Sequence, residues 1–188
     1  MAFEITSVEG LYEGWARFVI ATIRLPDGQV LRREIEDHGN AVAVLPYDAD
    51  RRTVMMVQQF RAPLLFAHRQ DHTLEAIAGI EEDTDPQVTA RREAMEEAGL
   101  VLGALEHIAT VSTMPGISTE RMTLYLAPYG AMDRVGRGGG LASEHENITV
   151  VEMPIVDLDA LMNSGRLVDL KTLALAQALK LRYAALFR

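Results

Sequence analysis

Residues 85–99 carry the most constraining pattern in this chain, a helix with one small apolar face and one acidic face. Asp85 is a good N-cap, Pro86 suits the first helical position, and Gly99 suits the left-handed position just past the end. Residues four apart share a helical face, so small residues at that spacing let the helix lie close to a sheet. The alanines are Ala90, Ala94 and Ala98, and the acidic residues are Glu93, Glu96 and Glu97.

The three glutamates have two interpretations. Like charges four residues apart repel by roughly 0.2–0.5 kcal/mol per pair, so a hard divalent cation that accepts oxygen ligands would explain the cluster. The alternative is a solvated charged face, as on most Glu-rich helices. Residues 74–100 hold eight acidic and two basic side chains, which concentrates −6 of the net charge of −9 in one segment. This concentration favours a metal site, and the acidic balance argues against binding of nucleic acid.

Composition limits the other classes of protein. A length of 188 residues suits one domain, or one domain with a small appendage. The absence of cysteine excludes disulfides, thiolate chemistry and cysteine-ligated zinc. No run of eighteen apolar residues and no signal peptide are visible, so we expect no membrane partner and a cytoplasmic location.

Short apolar runs predict an α/β fold, with a sheet flanked by helices on both faces. Strands at 15–25 and 28–36 are joined by the hairpin signal Pro26-Asp27-Gly28. A boundary near residue 38 separates this N-terminal appendage, residues 1–38, from a main domain at 39–188. Two strands are marginally stable alone, so we expect the appendage to pack on a partner subunit or on its own core. In the main domain we predict strands at 41–45, 54–57, 72–79, 108–111, 122–126 and 148–153, a flexible loop at 134–140, and helices at 85–99, 158–162 and 170–181.

The segment from Gly79 to Leu100 resembles the Nudix box, whose consensus is G-x5-E-x7-R-E-U-x-E-E-x-G-U, with U a bulky apolar residue. Proteins with this box typically hydrolyse a nucleoside diphosphate linked to another moiety. Three positions depart from the consensus: Ala94 is small, Gly79 lies one residue too close to Arg92, and Thr84 replaces the early glutamate. Some Nudix hydrolases that resemble GDP-mannose pyrophosphatase share this shorter spacing.

Further motifs, in order over residues 11–182, resemble the ADP-ribose and GDP-mannose branch of the Nudix hydrolases. The resemblance implies the Nudix fold, a mixed sheet sandwiched between helices, with an N-terminal β-strand appendage. The motifs are QQFR at 58–61, LEAIAG at 74–79, MPG at 114–116 with STE at 118–120, GGG at 138–140 with EHENI at 144–148, and GRLVD at 165–169 with KT at 171–172.

The resemblance also implies a site for magnesium or manganese, and a catalytic set that overlaps it. The catalytic set is Glu97, Glu144 and Arg92, of which Glu97 is also an expected metal ligand. Glu144 is expected to be the base that activates water. Arg92 is expected to orient a box glutamate through a bidentate pair. For Glu144 and Glu146 the alternative is a pair of solvated loop acids. The expected metal ligands are Glu93 and Glu97 as the main pair, Glu96 shared with a second ion, the backbone carbonyl of Ala78, and Glu146.

Four residues are candidates for substrate binding: Arg61, Glu75, Gly116 and Glu120. Arg61 could grip phosphate or be a surface arginine at a strand end. Glu75 could support a residue of the site without touching substrate itself, or it could be purely structural. Trp15 could stack on a base or sugar, although a lone tryptophan is more often packing. The histidines, His38 among them, give no constellation.

The predicted function is magnesium-dependent hydrolysis of a nucleoside diphosphate sugar to a nucleoside monophosphate and a sugar phosphate. GDP-mannose and ADP-ribose are the leading substrates, and the shorter box with the Gly138–Gly140 run favours GDP-mannose. Branch members are typically homodimers whose N-terminal strands cross between subunits, so we expect a homodimer. The alternative is a non-catalytic Nudix-fold sensor of nucleotide sugars, which Thr84 would allow but the intact helix glutamates disfavour.

Overall fold

The computed structural model describes residues 2–141 and 147–188, which form two compact units. The smaller unit comprises Met1–Asn40 and Val111–Met122, and the larger comprises Ala41–Thr110 and Thr123–Arg188. The strands are β1 Glu4–Glu13, β2 Arg17–Arg24, β3 Val30–Asp37, β4 Ala41–Asp48, β5 Thr53–Phe60, β6 His72–Glu75, β7 Ile77–Ile80, β8 Glu106–Ser112, β9 Arg121–Pro128 and β10 Thr149–Pro154. The α-helices are α1 Ala62–His68, α2 Pro86–Ala98, α3 Ile155–Asn163 and α4 Leu170–Arg182.

The smaller unit contains an antiparallel sheet in the order β1-β2-β3. The predicted hairpin is confirmed: Gly28 has φ +89°, and the amide of Leu25 donates to Gln29 across the turn at 2.8 Å. The first strand, β1, was not predicted. Every residue of β1 is exposed, so the strand has no buried face to impose a period of two on its sequence. The appendage therefore has three strands rather than two.

The larger unit contains a sheet in the order β10-β5-β4-β9-β8, with β6 beside β5 and β7 beside β4. All eight residues of β4 are buried, so both faces of this strand are covered. Val42 and Val44 belong to a core cluster with the alanines of α2, and α4 also contacts β4. The predicted α/β class, a mixed sheet between helices, is confirmed.

The single strand predicted at 72–79 is wrong, because the structure divides it at Ala76. β6 pairs with β5, whereas β7 pairs with β4. The amide nitrogen of Ala76 does not join a strand ladder, and it donates instead to the hydroxyl of Thr172 at 2.6 Å. This change of partner carries the chain onto β4 just before the acidic loop and α2.

Helix α2 confirms the prediction at both ends. The Asp85 side chain accepts from the amide of Gln87 at 2.9 Å, and Gly99 has φ +66° as the left-handed cap. Its three seam alanines are fully buried. Asp169 likewise caps α4, but the short helix α1 was not predicted. None of the helices in the described residues is long and apolar enough to cross a membrane.

Candidate active site

Helix α2 directs Glu93 and Glu97 toward strand β7. Glu97 is 1% exposed, and its Oε2 accepts from the amide of Ala78 at 3.3 Å. The Glu93 carboxylate lies so close to Gly79 that a β-carbon added there would fall 2.0 Å from Oε1. The helix and the strand therefore bring together three residues that the sequence indicated as metal ligands, and Gly79 leaves room for one of them.

Arg92 connects the glutamates on the helix. One guanidinium nitrogen lies 3.0 Å from Glu93 Oε1 and 3.5 Å from Glu82 Oε2, and the other lies 2.9 Å from Glu96 Oε2. Arg92 thus spans separate carboxylates, which differs from the expected bidentate pair with one of them. Burial alone would lower the pKa of Arg92, but the charges of Glu93 and Glu96 outweigh burial and raise it. The internal cation offsets the repulsion along the helix face.

The donor chemistry of this cluster fits a hard divalent cation. The carboxylates of Glu93, Glu96 and Glu97 and the carbonyl of Ala78 are oxygen ligands of the kind that magnesium and manganese accept. Within residues 2–141 and 147–188, no three histidine, aspartate or glutamate side chains already stand close enough together to hold an ion. Arg92 contacts both Glu93 and Glu96 and offsets part of their charge.

The glycine-rich loop at 134–140, predicted to be flexible, is hydrogen-bonded to the end of α2. The amides of Gly139 and Gly140 donate to the carbonyls of Glu97 and Glu96 at 2.8 and 3.1 Å. Gly138 has φ +66°, and a β-carbon there would fall 2.3 Å from the Glu97 carbonyl oxygen. This segment therefore contacts the same turn that carries two of the acidic side chains. The next candidates, Glu144 and Glu146, lie outside the described residues.

A second polar cluster surrounds the buried carboxylate of Glu75, which is 1% exposed. Arg61 donates to it from Nε and Nη2 at 2.7 and 2.8 Å, and the Lys171 ammonium donates to the same carboxylate. Burial alone would raise the pKa of Glu75, but the two cations outweigh burial and lower it. The hydrogen bond to Glu75 raises the pKa of Arg61. Glu75 is therefore ionised and held by two cations.

Lys171 lies in the KT motif at 171–172, for which the sequence indicated no role. Lys171 also lies 3.0 Å from Asp169, which caps α4 through Thr172, and Thr172 in turn accepts from Ala76. Because 96 residues separate Lys171 from Glu75, no local pattern in the sequence could have paired them. The start of α4 thus holds both Glu75 and the point where β6 gives way to β7.

The other two candidates, Gly116 and Glu120, belong to the smaller unit. Gly116 lies in a turn that the amide of Ile117 closes onto the Met114 carbonyl at 3.0 Å. Glu120 is 9% exposed and lies 2.8 Å from Nε2 of His38. The fold brings Glu36, Glu120 and Trp15 around the ring of His38, a grouping that the sequence did not indicate.

Comparison with known proteins supports the resemblance to the Nudix hydrolases. Residues 37–173 match the model of the NUDIX domain. The GDP-mannose pyrophosphatase of Cronobacter sakazakii is 39% identical over 159 residues, which is 83% of this chain and 82% of that protein. The GDP-mannose pyrophosphatase of Pectobacterium atrosepticum is 36% identical over 158 residues, 82% of this chain and 81% of that protein. An Escherichia coli protein of the same name is 32% identical over 160 residues, 84% and 83% of the two chains.

The fold also matches a solved structure. The crystal structure of an ADP compounds hydrolase aligns with a TM-score of 0.77 over 97% of each chain, and at 15% identity this likeness shows the fold alone. The resemblance identified from residues 79–100 is confirmed, and so is the fold that it implied. The chain belongs to the NUDIX domain family.

Proposed function

We propose that this protein hydrolyses the diphosphate bond of a nucleoside diphosphate sugar, giving a nucleoside monophosphate and a sugar phosphate. The observation that carries the proposal is the placement of Glu93 and Glu97 against Ala78 and Gly79. Relatives at 32–39% identity are GDP-mannose pyrophosphatases, which favours GDP-mannose over ADP-ribose as the substrate. The sensor alternative is not favoured, because the chain keeps all three glutamates of the helix.

Nudix pyrophosphatases in general need divalent metal ions, and we propose magnesium for this chain, with manganese as its substitute. A bound cation would neutralise charge on the diphosphate oxygens. Glu93 and Glu97 would be the main ligands. The remaining proposed ligands are Glu96, the Ala78 carbonyl and Glu146.

Arg92 serves in this proposal as a positioning residue. Its contacts with Glu93 and Glu96 limit the rotamers of both side chains before any ligand arrives. Glu97, fixed by the Ala78 amide, is both ligand and part of the catalytic set. Glu144 is the proposed base, which takes the proton of the attacking water.

Arg61 is the proposed phosphate-binding residue of the second cluster. Its side chain is 40% exposed although Glu75, at 2%, is enclosed. An arginine held at two nitrogens by a buried carboxylate keeps its remaining donors in a fixed direction. Glu75 would then act through Arg61 and Lys171 rather than by touching substrate. Gly116 and Glu120 stay proposed substrate contacts.

We further propose a homodimer formed through residues 1–38. Strand β1 is an edge strand, exposed over its whole length, with Ile5, Val8 and Leu11 each more than half exposed. A long exposed edge with apolar side chains is a ready template for pairing with another chain. Light scattering should give twice the chain mass of 20.8 kDa, and Val8→Lys should shift the mass toward the monomer. A monomeric wild-type protein at assay concentration would contradict the proposed homodimer.

The test of the activity is phosphate release from a panel of nucleoside diphosphate sugars, with magnesium and a coupled phosphatase. We expect turnover of GDP-mannose above ADP-ribose, lost on addition of a chelator and restored by excess magnesium. Tight binding of one panel member without turnover of any would overturn the proposal in favour of the sensor. The cytoplasmic location expected from the sequence stays a prediction.

A further inference from the structure

We infer that His38 is a positioning residue for Glu120, which it holds only while the imidazole ring is protonated. Glu36 and Glu120 lie on opposite nitrogens of the ring, so the three side chains form a carboxylate–imidazolium–carboxylate clamp within the smaller unit. The role of Glu120 as a substrate contact rests on the proposed function, whereas the clamp does not. The consequence is substrate binding that weakens as pH rises.

The ring contacts set the protonation state. Nδ1 is hydrogen-bonded to the Glu36 carboxylate, and Nε2 lies 2.8 Å from Oε2 of Glu120. An ionised carboxylate only accepts hydrogen bonds, and a neutral imidazole carries a single N–H. When both carboxylates are ionised, only the imidazolium satisfies both contacts together. Loss of its proton would set a ring lone pair against one carboxylate and leave two negative charges without a cation between them.

The backbone leaves the clamp little room to adjust. The amide of Glu36 donates to the Ile117 carbonyl at 2.8 Å, and the amide of Thr119 donates back to the Glu36 carbonyl at 3.0 Å. The amide of Glu120 donates to the Ser118 hydroxyl at 3.1 Å. With both main chains tied, release of His38 has to be absorbed by the side chains, and the carboxylate of Glu120 would swing from its position.

The surroundings of His38 support protonation. Its side chain is 13% exposed, as is that of Glu36, and that of Glu120 is 12% exposed. Burial lowers the pKa of His38, but the hydrogen bonds and charges of Glu36 and Glu120 outweigh burial and raise it. The neighbouring Asp37 accepts hydrogen bonds from Thr119 at 2.7 Å and from Arg17 at 2.9 Å. The hydrogen bond from Thr119 is the main cause of the lowered pKa of Asp37. Trp15 covers the ring without adding charge.

The direction of the pH dependence follows from the raised pKa of His38. The clamp is complete below the ordinary histidine value of 6.5 and is lost as pH rises through the higher folded-state value. Since Glu120 is proposed to contact bound substrate, KM should rise over that interval while kcat changes less. A residue that only supported the fold would not link a change in KM to this titration.

Trp15 supplies a direct spectroscopic probe, because it is the single tryptophan of the chain and its ring stacks on His38 at 4.9 Å. A protonated imidazole quenches tryptophan fluorescence more strongly than a neutral one. We expect the emission of the full-length protein to rise with pH, with a midpoint above 6.5. The transition should vanish in His38→Gln and in His38→Arg, and persist in His107→Gln, a control in the larger unit.

The kinetic arm uses the substrate that the panel identifies. His38→Gln should raise KM about tenfold at pH values where the clamp is formed, as expected for loss of a charge-assisted hydrogen bond. His38→Arg, charged at every pH, should rescue KM and flatten its pH profile. A fluorescence midpoint at or below 6.5, or a transition that survives in His38→Gln, would overturn the clamp. Unchanged KM in His38→Gln would overturn the positioning role. The fluorescence arm needs no turnover, so failure of the proposed function would be recognised separately.

Discussion

Arg61 and Glu75 form a fork-to-fork ion pair, with Nε and Nη2 of the arginine 2.7 and 2.8 Å from the two carboxylate oxygens. The pair joins the residue just before α1 to the last residue of β6, and Lys171 at the start of α4 completes it. Three separate parts of the larger unit therefore meet at one buried carboxylate.

We predict that Glu75→Gln lowers the free energy of unfolding by about 2–3 kcal/mol, because it leaves two cations facing a neutral amide in a buried site. Chemical denaturation measures this change. The matched control is Glu9→Gln, which removes an exposed pair with Arg32 and should cost about 0–1 kcal/mol. Equal effects of the two substitutions would contradict the assigned role of burial.

The same pair predicts a pH dependence. The pKa of Glu75 lies below its ordinary value of 4.5, so the unfolded chain takes up the proton first as pH falls. The stability difference between wild type and Glu75→Gln should hold steady above pH 4.5 and shrink as pH falls through the lowered pKa. Unfolding curves at several acidic pH values would measure it. A stability difference that grew on acidification would contradict this prediction.

We predict that Glu97→Gln removes most turnover, about hundredfold or more in kcat, and leaves the fold intact. The glutamine keeps an oxygen that can accept from the Ala78 amide but loses the negative charge. Activity and thermal unfolding would be measured together, with Glu81→Gln as a control in the same acidic segment. Wild-type turnover in Glu97→Gln would mean that the metal assignment is mistaken.

Gly79→Ala should impair activity more than stability. The added β-carbon would fall on the Glu93 carboxylate, so that side chain would have to turn out of its position beside β7 and give up its contact with Arg92. We expect kcat/KM to fall about 10- to 100-fold, as for displaced ligand geometry, with less than about 1 kcal/mol lost in stability. Gly103→Ala, where no atom lies within 4 Å of the new methyl group, is the control.

Gly138→Ala should act on stability directly. The left-handed φ of +66° and the approach to the Glu97 carbonyl oxygen at 2.3 Å both oppose a side chain, and backbone cannot rotate aside. We predict a loss of about 2–3 kcal/mol, combining conformational strain with a steric clash. Gly130→Ala, whose nearest neighbour would be 3.8 Å away, should cost less. Indistinguishable melting temperatures for the two variants would argue against the close approach of this segment to α2.

Local patterns predicted the parts of the fold that local physics determines. The caps Asp85 and Gly99 and the alanine seam of α2 were readable, because capping and helical periodicity depend on neighbours in sequence. The division of 72–79 at Ala76 was not readable, because it depends on Thr172, far along the chain. Strand β1 was missed since it has no buried face.

The candidate site divides in the same way. The box residues from Arg92 to Glu97 could be recognised from their spacing within one helix. The contacts of Glu75 with Lys171, and of His38 with Glu120, join residues 96 and 82 positions apart. Only the folded chain brings such pairs together, so a resemblance could suggest some of these residues but not their partners.

The contacts of Arg92 bear on the order of events in the life of the protein. A helix face with three carboxylates would ordinarily repel itself in the absence of a bound ion. Here a guanidinium from the same helix already pairs with Glu93 and Glu96 and offsets part of their charge. We therefore expect the chain to fold without a bound cation, and we expect a chelator to remove the proposed activity without unfolding the protein.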